Sequence, residues 1–236
     1  MRCIATMVGM AKPEVDSPEK IAVVSGATGG MGREIIADLA RDHHVFALGR
    51  QVEKIAGMEN VTPVAIDLVA GLDSGLELPE IARVDVLVHA AARADKFSVE
   101  SARPSAWRDQ MDLNVYAAAE LTRALLPQTR KAGGTVIFIN SGAGRNSYAD
   151  NVIYAATKHA LYALADGLRK AEPEIRVSTV APGPTDTPML KGLQDYEPEH
   201  VIAPVEVAKA IRAVVNAGPS TQLTEIQVRP RVELKK

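Results

Sequence analysis

Seven short apolar runs, each four to eight residues long and mostly β-branched, recur along the chain with helical patterning between them. They are Ile21–Ser25, Val45–Gly49, Val61–Ile66, Val84–His89, Thr135–Asn140, Ile175–Ala181 and Leu223–Val228. A run that is apolar on both faces suits a strand covered on both sides, as in a parallel sheet. Helical segments fall near 30–41, 73–82, 105–131, 152–172 and 204–217, with a short one near 52–57. Pro104 and Pro204 suit first-turn positions, and Gly133 and Gly218 suit helix ends. Strand–helix alternation of this extent specifies an α/β fold: a doubly wound parallel sheet of about seven strands with helices on both faces. No repeat or internal linker interrupts it, so 20–236 is expected to be a single domain. Residues 1–19 show no hydrophobic period and read as a flexible leader.

Composition narrows the function classes. At 236 residues, with 47% apolar and 24% charged side chains, the chain is ordinary globular protein and long enough for a full core. A net charge of −2 provides no electrostatic footprint for nucleic acid or an anionic membrane. The lone cysteine, Cys3, cannot form an intrachain disulfide or by itself a zinc site, so a reducing, cytoplasmic setting is expected. No apolar run approaches the ~18 residues needed to span a bilayer. Met1 to Lys20 lacks a continuous apolar stretch and carries Pro13 and Pro18, so it is not expected to be a signal peptide. Met1, Met7 and Met10 leave the start of translation open. His43, His44, His89, His159 and His200 show no ligand spacing; they are expected to be surface or hydrogen-bonded histidines, and no metal is expected.

The loops after the strands carry the chemistry. In an open α/β sheet, ligands bind beyond the carboxyl ends of the strands, where strand order reverses. Ser25-Gly26-Ala27-Thr28-Gly29-Gly30-Met31-Gly32 follows the first run and His89-Ala90-Ala91-Ala92 the fourth. Ser141-Gly142-Ala143-Gly144 follows the fifth and Pro182-Gly183 the sixth. In the first of these, Gly26 allows a sharp turn, Gly30 a close approach of backbone to a pyrophosphate, and Gly32 tight helix–sheet packing. The helix start behind it offers N–H groups and the positive end of a dipole. The spacing reads either as Gly26-x3-Gly30-x-Gly32 or as Gly26-x2-Gly29-x2-Gly32, and the loop alone does not choose.

Tyr154-Ala-Ala-Thr-Lys158 places a phenol and an ammonium four residues apart near a helix start, hence on one face. A phenol of pKa near 10 is no base at neutral pH, but a cation within ~4–6 Å favours the phenolate and lowers that value by about one to three units. Ser141, thirteen residues upstream at the matching strand end, offers a hydroxyl to the same substrate oxygen. The combination points to proton transfer at an oxygen.

With these residues in view, the chain resembles the compact branch of the short-chain dehydrogenase/reductase family over about residues 20–230, which implies a Rossmann fold. The family's T-G-x3-G-x-G loop matches Ser25 to Gly32, with serine for the leading threonine. The resemblance implies a catalytic set of Asn114, Ser141, Tyr154 and Lys158, Asn114 lying in the familiar Trp107-Arg-Asp-Gln-Met-Asp-Leu-Asn114-Val stretch. It assigns Tyr154 as general acid–base, Ser141 as the group polarising the carbonyl, and Asn114 as holder of a relay water. Lys158 lowers the tyrosine pKa and binds the nicotinamide ribose. Cofactor contacts are implied for Gly26, Thr28, Gly30, Met31 and Gly32, for Ala90 and Ala91, and for Asp67-Leu68 beside the adenine. Pro182, Gly183, Thr185 and Thr187 resemble the segment that fixes the nicotinamide carboxamide.

Two departures stand out. The usual Asn-Asn-Ala-Gly after strand four is His89-Ala90-Ala91-Ala92, which removes side-chain bonds bracing the central strands and adds a methyl near the adenosine ribose. The alternative glycine spacing resembles epimerase-type relatives, but these carry a large C-terminal substrate domain for which this chain has no residues. Strand two ends in Gly49-Arg50, with no carboxylate for a ribose 2′-hydroxyl and a guanidinium suited to a 2′-phosphate. The second basic marker of NADP-using relatives is absent, Gly29 standing in its place. NADP(H) is therefore the expected cofactor and NAD(H) the alternative. The reaction implied interconverts a small-molecule carbonyl and a secondary alcohol. Rival readings are a non-catalytic dinucleotide sensor, which has no need of the tyrosine, and an epimerase or dehydratase with tightly held NAD. In the family, helices matching 105–131 and 152–172 form a subunit interface, which implies a homodimer or homotetramer. Pocket walls are expected from 93–99, 142–152 and 186–200, the stretch 188–200 being either a lid or a surface loop.

Overall fold

The computed structural model describes residues 19–232. Apart from Glu19, the leader expected over 1–19 lies outside the described residues. Seven strands form one fully parallel sheet: β1 (Ile21–Ser25), β2 (His44–Gly49), β3 (Val61–Ala65), β4 (Val86–His89), β5 (Thr135–Ile139), β6 (Arg176–Pro182) and β7 (Glu225–Val228). Their order is β3-β2-β1-β4-β5-β6-β7. The chain winds outward from β1 to β3, then returns to lay β4 against the other side of β1. That reversal is the switch point at which such sheets bind ligands. Pro63 is tolerated because β3 is an edge strand.

Alternate residues of each strand face opposite sides, and each side is covered by helices. Ala22, Val24, Val86 and Val88 pack under α1 (Gly30–Leu39) and α6 (Pro204–Val215), through Ile35, Ile36, Leu39, Val207, Ile211 and Val214. Val23, Leu87, Val136 and Phe138 face α3 (Ala117–Ala132) and α4 (Val152–Ala171), meeting Leu121, Leu125, Leu161 and Ala165. Ser25, His89 and Phe138 are register partners across β1, β4 and β5. Their following loops therefore leave the sheet at one level.

One expectation needs correction, and two segments gain detail. No helix forms over 73–82; the segment is a turn followed by irregular chain. Gly75 takes φ +90°, a left-handed conformation, and Pro79 follows, so a continuous helix is blocked. Leu72, Leu76 and Leu78 pack partly buried against the sheet face that carries Val23, Leu87 and Phe138. The segment expected as one helix over 105–131 is α2 (Pro104–Met111), a π-helical turn over Asp112–Tyr116, and α3. Residues 188–200 hold a short helix, α5 (Pro188–Lys191), and a 3₁₀ turn over Pro198–His200. Pro104 and Pro204 do open helices, and Gly133 caps α3 with φ +57°.

Candidate active site

The glycine loop is a cradle with no room for side chains. Gly26 turns at φ +68°, and a methyl there would lie 2.5 Å from the Ala91 nitrogen. A methyl on Gly32 would lie 2.1 Å from the Gly26 carbonyl oxygen. One on Gly30 would meet Thr187 Cγ2 at 2.8 Å, so Gly30 is the point where the loop after β6 closes over the loop after β1. A methyl on Gly29 would meet only the Gly26 oxygen, at 3.2 Å. Gly29 N-caps α1 with no side-chain cap, which leaves the first-turn N–H groups of the helix free of a side-chain acceptor. Ser25, standing for the expected threonine, donates Oγ–H to the Val88 carbonyl at 3.4 Å and so ties β1 to β4.

Ser141 and Tyr154 come together although they belong to different elements. Ser141 follows β5, and its Oγ accepts from the Ala143 N–H at 3.1 Å, capping a 3₁₀ turn over Gly142–Gly144. Tyr154 sits in the first turn of α4, its phenol near enough to the Ser141 hydroxyl for that group to act on its pKa. One turn on, Lys158 is only 2% exposed. Its Nζ lies 5.5 Å from the Tyr154 ring centre and donates to the Ile139 carbonyl at 2.9 Å. Asn140 locks the two segments together: its amide donates to the Lys158 carbonyl at 3.1 Å while its Oδ1 accepts from the Ser141 N–H at 2.9 Å.

Asn114 lies in the π turn, where the widened backbone turns its side chain inward. Its Oδ1 accepts from the Arg93 N–H at 2.9 Å, and its Nδ2 donates to the Arg93 carbonyl at 2.9 Å and to Thr157 Oγ1 at 3.1 Å. Thr157 in turn donates to the Tyr154 carbonyl at 2.8 Å. Asn114 thus joins the loop after β4 to the face of α4 that carries Tyr154, from a π bulge of the kind often found at functional positions.

Electrostatics here differ from the expectation in one respect. Burial raises the Tyr154 pKa, the Ser141 hydroxyl opposing it, so the phenol holds its proton more firmly than a free tyrosine. Burial also pushes Lys158 down to about 8. The lowering of the tyrosine pKa by the lysine, expected from the sequence, is not found: burial and Ser141 are the causes of the shift, and the ammonium is bonded to the Ile139 carbonyl.

The remaining expected residues fall around the same edge. Arg50 follows β2, exposed, with no hydrogen bond or carboxylate partner among the described residues. A methyl on Gly49 would pack 3.2 Å from Thr28. Asp42, the nearest acid before β2, is held by Arg212 at 2.8 Å. Asp67 is exposed and accepts from the Val69 N–H at 3.0 Å, while Leu68 is buried. Ala90 donates its N–H to the Ser25 carbonyl at 3.2 Å, and the Ala91 N–H reaches Ser25 Oγ at 3.5 Å. Met31 packs partly buried against the α1 face of the sheet. Beyond Pro182, Gly183 pairs with Val228, and the hydroxyls of Thr185 and Thr187 donate to the Gly183 and Thr185 carbonyls at 2.9 and 3.2 Å.

A cleft of about 450 Å³ opens between Ala92–Lys96 and Pro188, Met189, Gly192 and Leu193. Two of the three expected walls line it; 142–152 does not. Sequence reasoning also missed the bracing role of Asn140, the Arg93 link to Asn114, and a cluster behind the Ser141 loop. In that cluster the Tyr162 hydroxyl donates to Glu225 at 2.7 Å, Arg145 pairs with Glu225 at 3.0 Å, and the Arg145 guanidinium stacks 3.8 Å over the Tyr162 ring. No motif spacing announces these contacts, which join segments up to eighty residues apart. No group of three metal-ligating side chains occurs among the described residues, and no described helix is long and apolar enough to cross a membrane.

Fold and site together define a Rossmann-fold oxidoreductase. Residues 20–198 match the family model described as short chain dehydrogenase. The mouse protein named dehydrogenase/reductase SDR family member 11 is 28% identical over 246 residues, covering 90% of this chain and 96% of that one. Among solved structures, a chain assigned to the short-chain dehydrogenase/reductases from Corynebacterium glutamicum is 45% identical, with TM-score 0.70 over 89% of this chain and 100% of that one. A closed serine dehydrogenase complexed with NADP+ superposes with TM-score 0.78 at 25% identity, over 88% of this chain and 93% of that one. The chain belongs to the short-chain dehydrogenase family.

Proposed function

We propose that this enzyme uses NADP(H) to interconvert a carbonyl and a secondary alcohol, with Tyr154 as general acid–base. The observation that carries the reading is Lys158 Nζ 5.5 Å from the Tyr154 ring on one face of α4, with Asn140 tying that helix to Ser141, at the sheet edge that holds the glycine loop. A dinucleotide fits the residues present. Gly26, Gly30 and Gly32 let the loop fold tightly against its neighbours where any Cβ would clash, beside a helix start suited to phosphate. Arg50 is an unmatched guanidinium for the 2′-phosphate, while Asp42 is engaged by Arg212 and Gly49 has no carboxylate. The serine dehydrogenase resembling the chain was solved with NADP+, in agreement.

When bound, NADPH supplies a hydride to the carbonyl carbon. Ser141 donates to the carbonyl oxygen and holds it beside the phenol. Tyr154 delivers its proton to that oxygen as negative charge develops there, and its raised pKa keeps it protonated for this purpose at neutral pH. Lys158 uses one of its three donors on Ile139, so two remain for ribose hydroxyls. Its positive charge offsets the phenolate left after transfer. Asn114 has both Nδ2 protons engaged, so the second lone pair of Oδ1 is its remaining side-chain acceptor for a relay water. Asp67-Leu68 would border the adenine, Ala90-Ala91 the adenosine ribose, and Pro182 to Thr187 the carboxamide. Loss of NADPH absorbance with aldehydes, ketones or 3-oxo thioesters tests the reading. No turnover of any member by the parent enzyme overturns it and favours a sensor.

We further propose a cytoplasmic homodimer or homotetramer associating through α3 and α4, with Tyr116, 51% exposed, on its outer surface. Light scattering that finds only a monomer at micromolar concentration refutes the assembly.

A further inference from the structure

The end of the C-terminal strand sets an exposed cation beside the loop that bears Ser141. β7 is pinned to β6 where the Gly183 N–H donates to the Val228 carbonyl at 2.8 Å. Arg229 comes next, and Pro230 after it disfavours a helical turn at Arg229. The side chain crosses to the loop after β5: a methyl on Gly142 would lie 2.8 Å from Arg229 Nη1 and 3.6 Å from Nη2. A methyl on Gly183 would lie 3.7 Å from Arg229 Cδ and 3.2 Å from Pro230 Cδ. The guanidinium therefore rests on the residue next to Ser141, in space that only glycine at 142 leaves free.

Arg50 aside, four other cations near this edge are each paired with a carboxylate. Arg93 meets Asp95 at 3.0 Å, Lys96 meets Asp150 at 3.4 Å, Arg145 meets Glu225 at 3.0 Å and Lys191 meets Asp186 at 3.0 Å. Arg229 has no carboxylate partner among the described residues. A planar cation with five donors, unpaired and next to Gly142 in the Ser141 loop, is matched by a carboxylate accepting two parallel hydrogen bonds.

We propose that Arg229 selects substrates bearing a carboxylate a few bonds from the reacting carbon, so that the physiological pair is an oxo acid and its hydroxy acid. This rests on the oxidoreductase reading above. The test compares pyruvate, acetoacetate and laevulinate with their methyl esters, using NADPH and the parent, R229K and R229M. The acid of the best pair is expected to exceed its ester in kcat/KM by roughly ten- to a hundredfold, as one charge-assisted contact allows. In R229M this ratio falls towards one, chiefly through KM of the acid, and R229K retains part of it. Calorimetry of the NADP+-loaded enzyme with the same acids and esters gives a readout that needs no turnover. Equal use of acid and ester by the parent, or a ratio unchanged in R229M, overturns the anion site and leaves the oxidoreductase reading standing. An equal rise in cofactor KM for acid and ester in R229M also overturns it, by assigning Arg229 to the cofactor. If nothing is reduced yet the acids alone bind, and bind more weakly to R229M, the anion site stands and the carbonyl reading fails.

Discussion

His89 Nε2 and the Thr122 hydroxyl lie 2.8 Å apart, sharing a hydrogen bond, and the same hydroxyl lies 2.8 Å from the Ala118 carbonyl. The other ring nitrogen, Nδ1, is buried with no hydrogen-bond partner. Stacked 4.8 Å from Phe138, the ring fills the site of an asparagine in the family's motif. A neutral aromatic replaces a polar brace, and sequence reasoning that expected a surface or fully bonded histidine did not foresee it.

That burial makes the fold acid-sensitive. The pKa of His89 is lowered from 6.5 to about 3 by loss of solvent. The unfolded chain therefore takes up a proton near pH 6.5 that the folded chain refuses until about pH 3. Stability from this group is complete above pH 6.5 and is lost as pH falls below it, by about 1.4 kcal/mol per pH unit. In urea titrations between pH 7 and 5 the parent is expected to lose about 2 kcal/mol more than H89N. Equal losses in the two proteins would contradict the assignment.

Replacing Tyr154 by phenylalanine is expected to lower turnover by about 10²–10⁴-fold, the usual share of a general acid–base. Cofactor affinity, measured by fluorescence titration, stays near the parent value because only the phenol oxygen is removed. Activity close to the parent's would remove Tyr154 from the mechanism.

Arg50→Ala is expected to erase a preference for NADPH over NADH. One charge-assisted contact of about 1.5–3 kcal/mol corresponds to roughly ten- to a hundredfold in kcat/KM. The ratio of the two cofactors, taken for parent and variant, decides it. A parent that uses NADH equally well or better refutes the assignment.

Gly32→Ala forces a methyl to within 2.1 Å of the Gly26 carbonyl, so the start of α1 must move away from the sheet. The expected cost is about 1–3 kcal/mol, a fall in Tm of several degrees, with loss of NADP+ binding. Gly218→Ala, which meets no atom within 4 Å, should stay within about 0.5 kcal/mol of the parent. Calorimetric scans with and without NADP+ compare the two, and a Gly32→Ala protein that unfolds and binds like the parent contradicts the cradle.

The strand runs, the glycines at 26, 30 and 32, and Tyr154-x3-Lys158 were legible because each answers a local physical demand: β-branched packing, absence of a Cβ, or one helix face. From these the parallel sheet, its loop-bearing edge and the meeting of Ser141 with Tyr154 followed. Tertiary structure decided what depends on distant segments. Gly75 and Pro79 with the sheet face beneath them turned an expected helix into irregular chain, and bonds to Arg93 and Thr157 accompany the π turn around Asn114. Depth of burial decided the direction of the Tyr154 shift and the neutrality of His89. The approach of Arg229 to Gly142 exists only because β7 lies beside β6. Backbone preference is written residue by residue, whereas desolvation and long-range hydrogen bonding are properties of neighbours that folding alone assembles.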